Sequence, residues 1–244
     1  MLKKYLSEKK NFHARESIFM SRLSYDLKLA AAKRDYYLKT YFEDVDHDGF
    51  DVIFDDDDSI VKIQVKTLLD GSSDQDDTST NNWEIHKCIL RPQIHLLDKL
   101  GFESSPEGEG VGGGFIRMDL SVDDDDNVNV RYHYTDLFVL LAYDLGILPY
   151  SRRKTLDEKL RDLQCGTSHE KIGIPKGLIV QAKSPEALLA LMGIHSNESF
   201  SWRYLTLVLA NHENQYASRE MPLPMPIEEL RRSIKQELDN LLAL

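Results

Sequence analysis

Three side chains able to do chemistry together lie within one short stretch. Asp51, in Asp48-Gly49-Phe50-Asp51, is followed after twelve residues by Gln64-Val65-Lys66. Side chains alternate across a strand, so Gln64 and Lys66 share one face while Ile63, Val65 and Thr67 share the other. With Asp51 near the start of the preceding strand, an acid, an amide and an amine can meet at one place on a sheet. Such a group offers a carboxylate acceptor, an amide that both donates and accepts, and a fixed positive charge. The same residues also fit a plain hairpin in which Asp51 flanks the turn and Gln64 and Lys66 face solvent.

The elements around them are legible. Phe12 to about Phe42 contains no proline or glycine, and Ile18, Phe19, Leu23, Leu27, Ala30, Ala31, Tyr37 and Leu38 recur at helical spacing, which predicts one long helix or two shorter ones. Apolar runs at 50–54 and 60–68 around Asp55 to Asp58 and Ser59 predict a hairpin. A polar stretch from Asp70 to Asn82 reads as a mobile loop, and Trp83 to Leu100 as renewed helical periodicity, with Pro92 near the start of a short helix and Gly101 as its stop. Gly108 to Gly114 lacks a Lys-Ser or Lys-Thr pair, so it is no phosphate-binding P-loop and reads as a flexible entry to a strand. A second hairpin follows, 115–122 and 128–134 around Asp123 to Asp126, then an apolar helix from about Thr135 to Leu145 stopped by Gly146. Beyond Pro149 come a charged helix at 154–163, an apolar run at 177–182, a helix opened by Ser184-Pro185-Glu186, and helices at 201–210 and 227–244. Ile227, Leu230, Ile234, Leu238, Leu241 and Leu242 form the apolar stripe of the last. The order predicts an α/β fold, a mixed central sheet flanked by helices, with residues 1–150 as the core and 151–244 as a mainly helical extension.

Asp51 followed by Gln64-x-Lys66, set in Ile63-Gln64-Val65-Lys66-Thr67, resembles the PD-(D/E)XK, or restriction-endonuclease-like, nuclease superfamily in its glutamine variant. The likeness in element order covers about residues 12 to 145, and its specific content is four or five positions. It implies hydrolysis of phosphodiester bonds with Mg2+ or Mn2+ as cofactor. Asp51, Gln64 and the Val65 backbone carbonyl would hold the metal, since a hard cation takes oxygen ligands. The cation would lower the pKa of a water and stabilise the scissile phosphate. Lys66 would orient that water or hold the phosphate as a point charge. Glu16 is the best-placed further acid on the first helix, with Glu43, Asp44 and Asp48 competing. Two departures stand out: no proline precedes Asp51, and Gln64 replaces the usual second carboxylate. The implied function is a DNA endonuclease in restriction or defence against foreign DNA, located in the cytoplasm and acting as a homodimer or higher homo-oligomer. The alternative is a catalytically inactive nuclease-like module that binds nucleic acid or a protein partner.

Other signals are weaker. His86, Lys87 and Arg91 follow the polar loop, where they would meet a phosphate backbone, although charge beside a core tryptophan explains them too. Tyr132-His133-Tyr134 alternates on a strand and suits packing better than base stacking. Cys88 and Cys165, with His86 and His169, lack the repeated spacing of a zinc site, and two cysteines make no disulfide framework.

Charge distribution qualifies the expected partner. The 244-residue chain carries a net −11, but the two aspartate runs and Asp70, Asp74, Asp76 and Asp77 hold twelve of its 41 acids. Without them the chain is close to neutral, and the first forty residues carry ten Lys or Arg against four acids. A basic surface can therefore coexist with the acidic sum. The 41% of apolar residues excludes wholesale disorder, and the apolar run from Leu137 to Leu148 is too short to cross a bilayer, so no membrane is expected.

Overall fold

The computed structural model describes residues 1–42, 49–69, 82–102, 109–165, 167, 170–194 and 197–244, with the backbone alone at 197–201. Glu43, Asp44, Asp48, His169 and most of the polar loop that runs to Asn82 lie outside the described residues.

The aspartate runs make turns as their sequence predicts. In the first, Asp57 takes φ +72° and the Asp56 carboxylate accepts from the Ser59 amide at 2.6 Å. In the second, Asp126 takes φ +61° and the Asp123 carboxylate accepts from the Asn127 amide at 2.8 Å. A short polar side chain that caps its own turn tolerates the left-handed region, which β-branched residues do not. Two antiparallel hairpins result: β2 (Val52–Asp55) with β3 (Ile60–Leu69), and β5 (Gly114–Val122) with β6 (Val128–Asp136).

These strands form the centre of a mixed six-stranded sheet. β1 (Lys39–Phe42) pairs antiparallel with β2, β3 runs parallel to β5, and β8 (Val180–Ala182) closes the far edge antiparallel to β6. Between β3 and β5 the chain passes through β4 (Asn82–His86), α3 (Lys87–Leu90) and α4 (Ile94–Leu100). A parallel pair needs such a crossover, because a tight turn joins only antiparallel neighbours. β4 pairs with β7 (Lys171–Pro175) as a separate two-stranded ribbon.

One face of the large sheet is apolar: Val52, Phe54, Ile63, Val65, Ile116, Met118, Tyr132 and Tyr134 are all buried. α2 (Phe12–Ala32) covers it through Phe19, Leu23 and Leu27, and is tied down where the Tyr132 hydroxyl donates to Asp26 at 2.6 Å. α7 (Pro185–Met192) packs beside α2 and against β6. Both tyrosines of Tyr132-His133-Tyr134 are therefore packing residues, and His133 points to the other face.

The other face is mixed, with Phe115 buried under Trp83 and polar residues around it. It carries Lys62, Gln64, Lys66, Arg117, Asp119, Arg131 and His133, with the β4–β7 ribbon lying against part of it. The remaining helices are α1 (Leu2–Ser7), α5 (Leu137–Asp144), α6 (Arg153–Gln164), α8 (Asn197–Glu213) and α9 (Ile227–Ala243), with 3-10 turns at Lys9–Asn11 and Lys176–Leu178. No helix among the described residues is long and apolar enough to cross a membrane.

Four local expectations are corrected. The predicted helix over 12–42 stops at Ala32, and Asp35 at φ +60° turns the chain into edge strand β1. Trp83 to His86 is a strand, since β7 supplies a hydrogen-bonding partner that periodicity cannot reveal. Within the stretch beyond Pro149, which is mainly helical as expected, 171–175 and 180–182 are strands β7 and β8. The glycine-rich entry to β5 is locked in place: the amides of Gly110, Val111, Gly112 and Gly113 donate to Pro92, Cys88, Arg91 and Ile89. A Cβ on Gly113 would stand 2.1 Å from the Lys62 carbonyl oxygen, inside any allowed contact. Gly113→Ala is thus expected to destabilise the fold by about 1–3 kcal/mol, read as a lower urea midpoint at unchanged slope.

Candidate active site

Asp51 sits where β2 begins. Gly49 turns the chain there at φ +79°, and a Cβ on Gly49 would lie 2.6 Å from the His86 ring, so glycine is needed for both conformation and close approach. The Asp51 amide donates to the Ile63 carbonyl at 2.8 Å, and its Oδ2 accepts from the Val65 amide at 2.5 Å. The carboxylate thereby occupies a position that a further residue of β2 would otherwise fill, alongside the segment holding Gln64 and Lys66.

Gln64 is 4% exposed, and its Oε1 accepts from the His86 amide at 3.2 Å. This bond ties β3 to the end of β4 and puts His86 beside both Gln64 and Gly49. Lys66, on the same face, is exposed and has no hydrogen bond or ion pair with a described residue. Asp51 therefore adjoins the segment of β3 that carries Gln64, Val65 and Lys66, and His86 joins this group through Gln64 and Gly49, a placing the sequence did not suggest.

The other expected residues lie elsewhere. Glu16 is exposed near the start of α2, one turn before Phe19, and no described contact links it to Asp51, Gln64 or Lys66. Lys87 is 2% exposed, with its ammonium 2.7 Å from both Asp162 and Glu170. Arg91 is fully buried, donates to the Leu163 carbonyl at 2.5 Å and lies over the Phe102 ring. Burying a cation is costly unless it is paired. Lys87 and Arg91 are paired inward, joining α3 to α6 and its neighbours instead of facing a phosphate backbone.

The oxygen donors here, the Asp51 carboxylate, the Gln64 amide and the Val65 carbonyl, suit a hard cation in type. They bring a single negative charge, and the amide oxygen already accepts from His86. Among the described residues no cluster of three or more His, Cys, Asp or Glu side chains could hold a metal ion. The described donor set fits magnesium or manganese in kind and is thin in charge.

A second polar group stands next to this one and was missed in the sequence. Lys66, Arg117, His133 and Gln181 are successive register partners across β3, β5, β6 and β8. Arg117 is 2% exposed; its Nη2 donates to Asp119 at 2.7 Å and to His133 Nε2 at 3.3 Å, and its guanidinium lies 5.7 Å from the Trp83 ring. A guanidinium only donates, so His133 Nε2 accepts, and neutral His133 carries its proton on Nδ1. The available signal was Arg117-x-Asp119 and Arg131-x-His133, alternate polar residues on two strands otherwise rich in apolar ones.

Burial, and then the positive charge of Arg117, push His133 down to about 4. The folded value lies below the ordinary value of 6.5. The unfolded chain therefore binds the proton first as pH falls, and stability drops between about 6.5 and 4. With partial solvent contact allowed for, this drop is expected to reach roughly 2 kcal/mol. His133→Gln should remove it, visible as a smaller difference between urea midpoints at pH 7 and pH 4.5.

A cavity of about 1150 Å3 lies away from both groups, lined by residues including Asp98, Asp144, Arg153, Glu213 and Tyr216, and contains none of the residues named above as candidates. No family model matches the chain, and neither a curated protein nor a solved structure matches it.

Proposed function

We propose that the protein hydrolyses phosphodiester bonds of DNA with a divalent metal ion, at Asp51, Gln64 and Lys66. The observation that carries this reading is the hydrogen bond from the Val65 amide to Asp51, which fixes a carboxylate beside the strand that presents Lys66. The element order around it, a long helix, a hairpin, a crossover and a second hairpin, supports the same restriction-endonuclease-like reading.

Asp51 Oδ, Gln64 Oε1 and the Val65 carbonyl would hold the cation. A bound divalent cation supplies Lewis-acid stabilisation of the charge that develops on the phosphate. Lys66, exposed and uncommitted to any described partner, places an ammonium where a phosphate oxygen or the attacking water can meet it. Gln64, held by His86, fixes the face from which Lys66 projects.

The test is incubation of plasmid and single-stranded DNA with magnesium or manganese, wild type against Asp51→Ala and Lys66→Ala. Cleavage that needs the ion and both side chains is the expected result. Absence of cleavage with either ion would sink the reading. A second reading, a silent module that binds nucleic acid or protein, is favoured by the single described carboxylate and by the engagement of Gln64 Oε1 with His86. Under it the two substitutions change binding alone.

A further inference from the structure

We propose that the exposed cations Lys66, Arg131 and Lys176, held along the polar row in which buried Arg117 and half-buried His133 connect Lys66 to Gln181, form a track for the phosphates of a nucleic-acid strand leaving the candidate site. The inference rests on the nuclease reading for its starting point at Lys66 and extends it to how substrate is held.

The row is set by strand register. Lys66 pairs with Arg117, Arg117 with His133, and His133 with Gln181, so all four side chains leave the same face. Strands lie about 4.8 Å apart, so the row is about 14 Å long. Strand phosphates in a duplex repeat about every 3.4 Å along the axis, so a strand lying along the row would bring several of them past its exposed side chains. Both of its ends, Lys66 and Gln181, are exposed.

Charge along the row runs against that of the chain. His133 feels three cations, Arg117, Arg131 and Lys176, and one acid, Asp119. Lys66 adds a further exposed cation to the same face, in a protein whose net charge is −11. Asp119 is bound to Arg117 Nη2 and also lies 3.6 Å from His133 Nδ1. It fixes the guanidinium and leaves Arg131, Lys176 and Lys66 as the exposed cations.

Hydrogen-bonding capacity is also left over here. Arg117 Nε, His133 Nδ1, Trp83 Nε1 and Asp119 Oδ1 are buried atoms without a hydrogen-bond partner among the described residues. Buried polar atoms are normally satisfied, and several orphans at one place point to water or a ligand. Three of these four are donors, and because all four are buried they lie behind the exposed cations of the row. Trp83 packs between Phe115 and Arg117 and holds the guanidinium in the row.

The experiment measures fluorescence anisotropy of a labelled single-stranded oligodeoxynucleotide of about 20 nucleotides. It is done in EDTA to prevent cleavage, across a series of NaCl concentrations. Arg131→Ala/Lys176→Ala changes two exposed side chains and keeps the fold, checked by thermal melting. It should weaken binding roughly tenfold at low salt and reduce the slope of log K against log salt by about 1.4, two phosphate contacts at 0.7 each. Lys154→Ala, an exposed lysine outside the row, should change neither. Unchanged affinity and slope in the double variant, or no oligonucleotide binding by the wild type, would overturn the track. So would loss of polyglutamate binding in the double variant with oligonucleotide binding intact, which would assign the row to acidic polypeptide. If neither ion supports cleavage but the double variant weakens the oligonucleotide, the catalytic reading fails and the track stands. If Lys66-dependent cleavage occurs and the double variant binds normally, the track alone fails.

Discussion

Lys66→Ala is expected to lower the initial rate of plasmid cleavage by about 10^2–10^3-fold while leaving the melting temperature unchanged. The two halves of that expectation have different causes. Lys66 is exposed and has no partner among the described residues, so its removal breaks no described interaction, and surface substitutions of this kind stay within about 0.5 kcal/mol. Its charge, in contrast, would act on the transition state, where a donor aimed at developing negative charge is worth most. Lys66→Arg separates a point charge from a planar fork: if the ammonium orients a water, arginine should rescue little of the rate. Asp51→Ala should abolish cleavage too, but it also strips the Val65 amide of its acceptor, so a stability loss of about 1 kcal/mol accompanies it. A rate for Lys66→Ala equal to wild type would remove Lys66 from the mechanism.

The largest stability effect is expected at Arg203. Its Nη1 donates to Asp136, which is 1% exposed, and to the Leu191 carbonyl at 2.8 Å, and its guanidinium lies 4.2 Å from the Phe138 ring. Asp136 also accepts from the Tyr134 hydroxyl at 3.0 Å and caps α5 by accepting from the Val139 amide at 2.8 Å. Arg203→Ala leaves a buried carboxylate without its countercharge, a change that costs about 3–5 kcal/mol. In a chain of this size that lowers the melting temperature by roughly 10 °C. Arg203→Met/Asp136→Asn removes both charges together and should recover part of the loss. A single Arg203→Ala variant as stable as wild type would show that the pair adds nothing.

Much of the local structure was legible. Alternating β-branched residues around the aspartate runs predicted both hairpins, and Asp55–Asp58 and Asp123–Asp126 turn because their own carboxylates cap them. Ser184-Pro185 opens α7, with the Ser184 hydroxyl accepting from the Ala187 amide at 3.0 Å. In α9 the predicted stripe buries Leu230, Ile234, Leu238 and Leu241. What failed was reading partners. β1 and β4 are short segments whose apolar residues fit a helix equally well, and pairing with β2 and β7 decides against it. Lys87 and Arg91 read as surface charge because their acceptors, Asp162, Glu170 and Leu163, are more than seventy positions away.

The sequence by itself determined the hairpins, the caps and the placing of Asp51 against the strand that carries Gln64 and Lys66, since each depends on backbone preferences and side-chain alternation within about fifteen residues. Tertiary structure alone decided which cations face outward and which are paired inside. It also aligned Lys66, Arg117, His133 and Gln181 in one row. That alignment depends on hydrogen-bond register between strands far apart in the chain, and a register shift of one residue would turn each of those side chains to the opposite face.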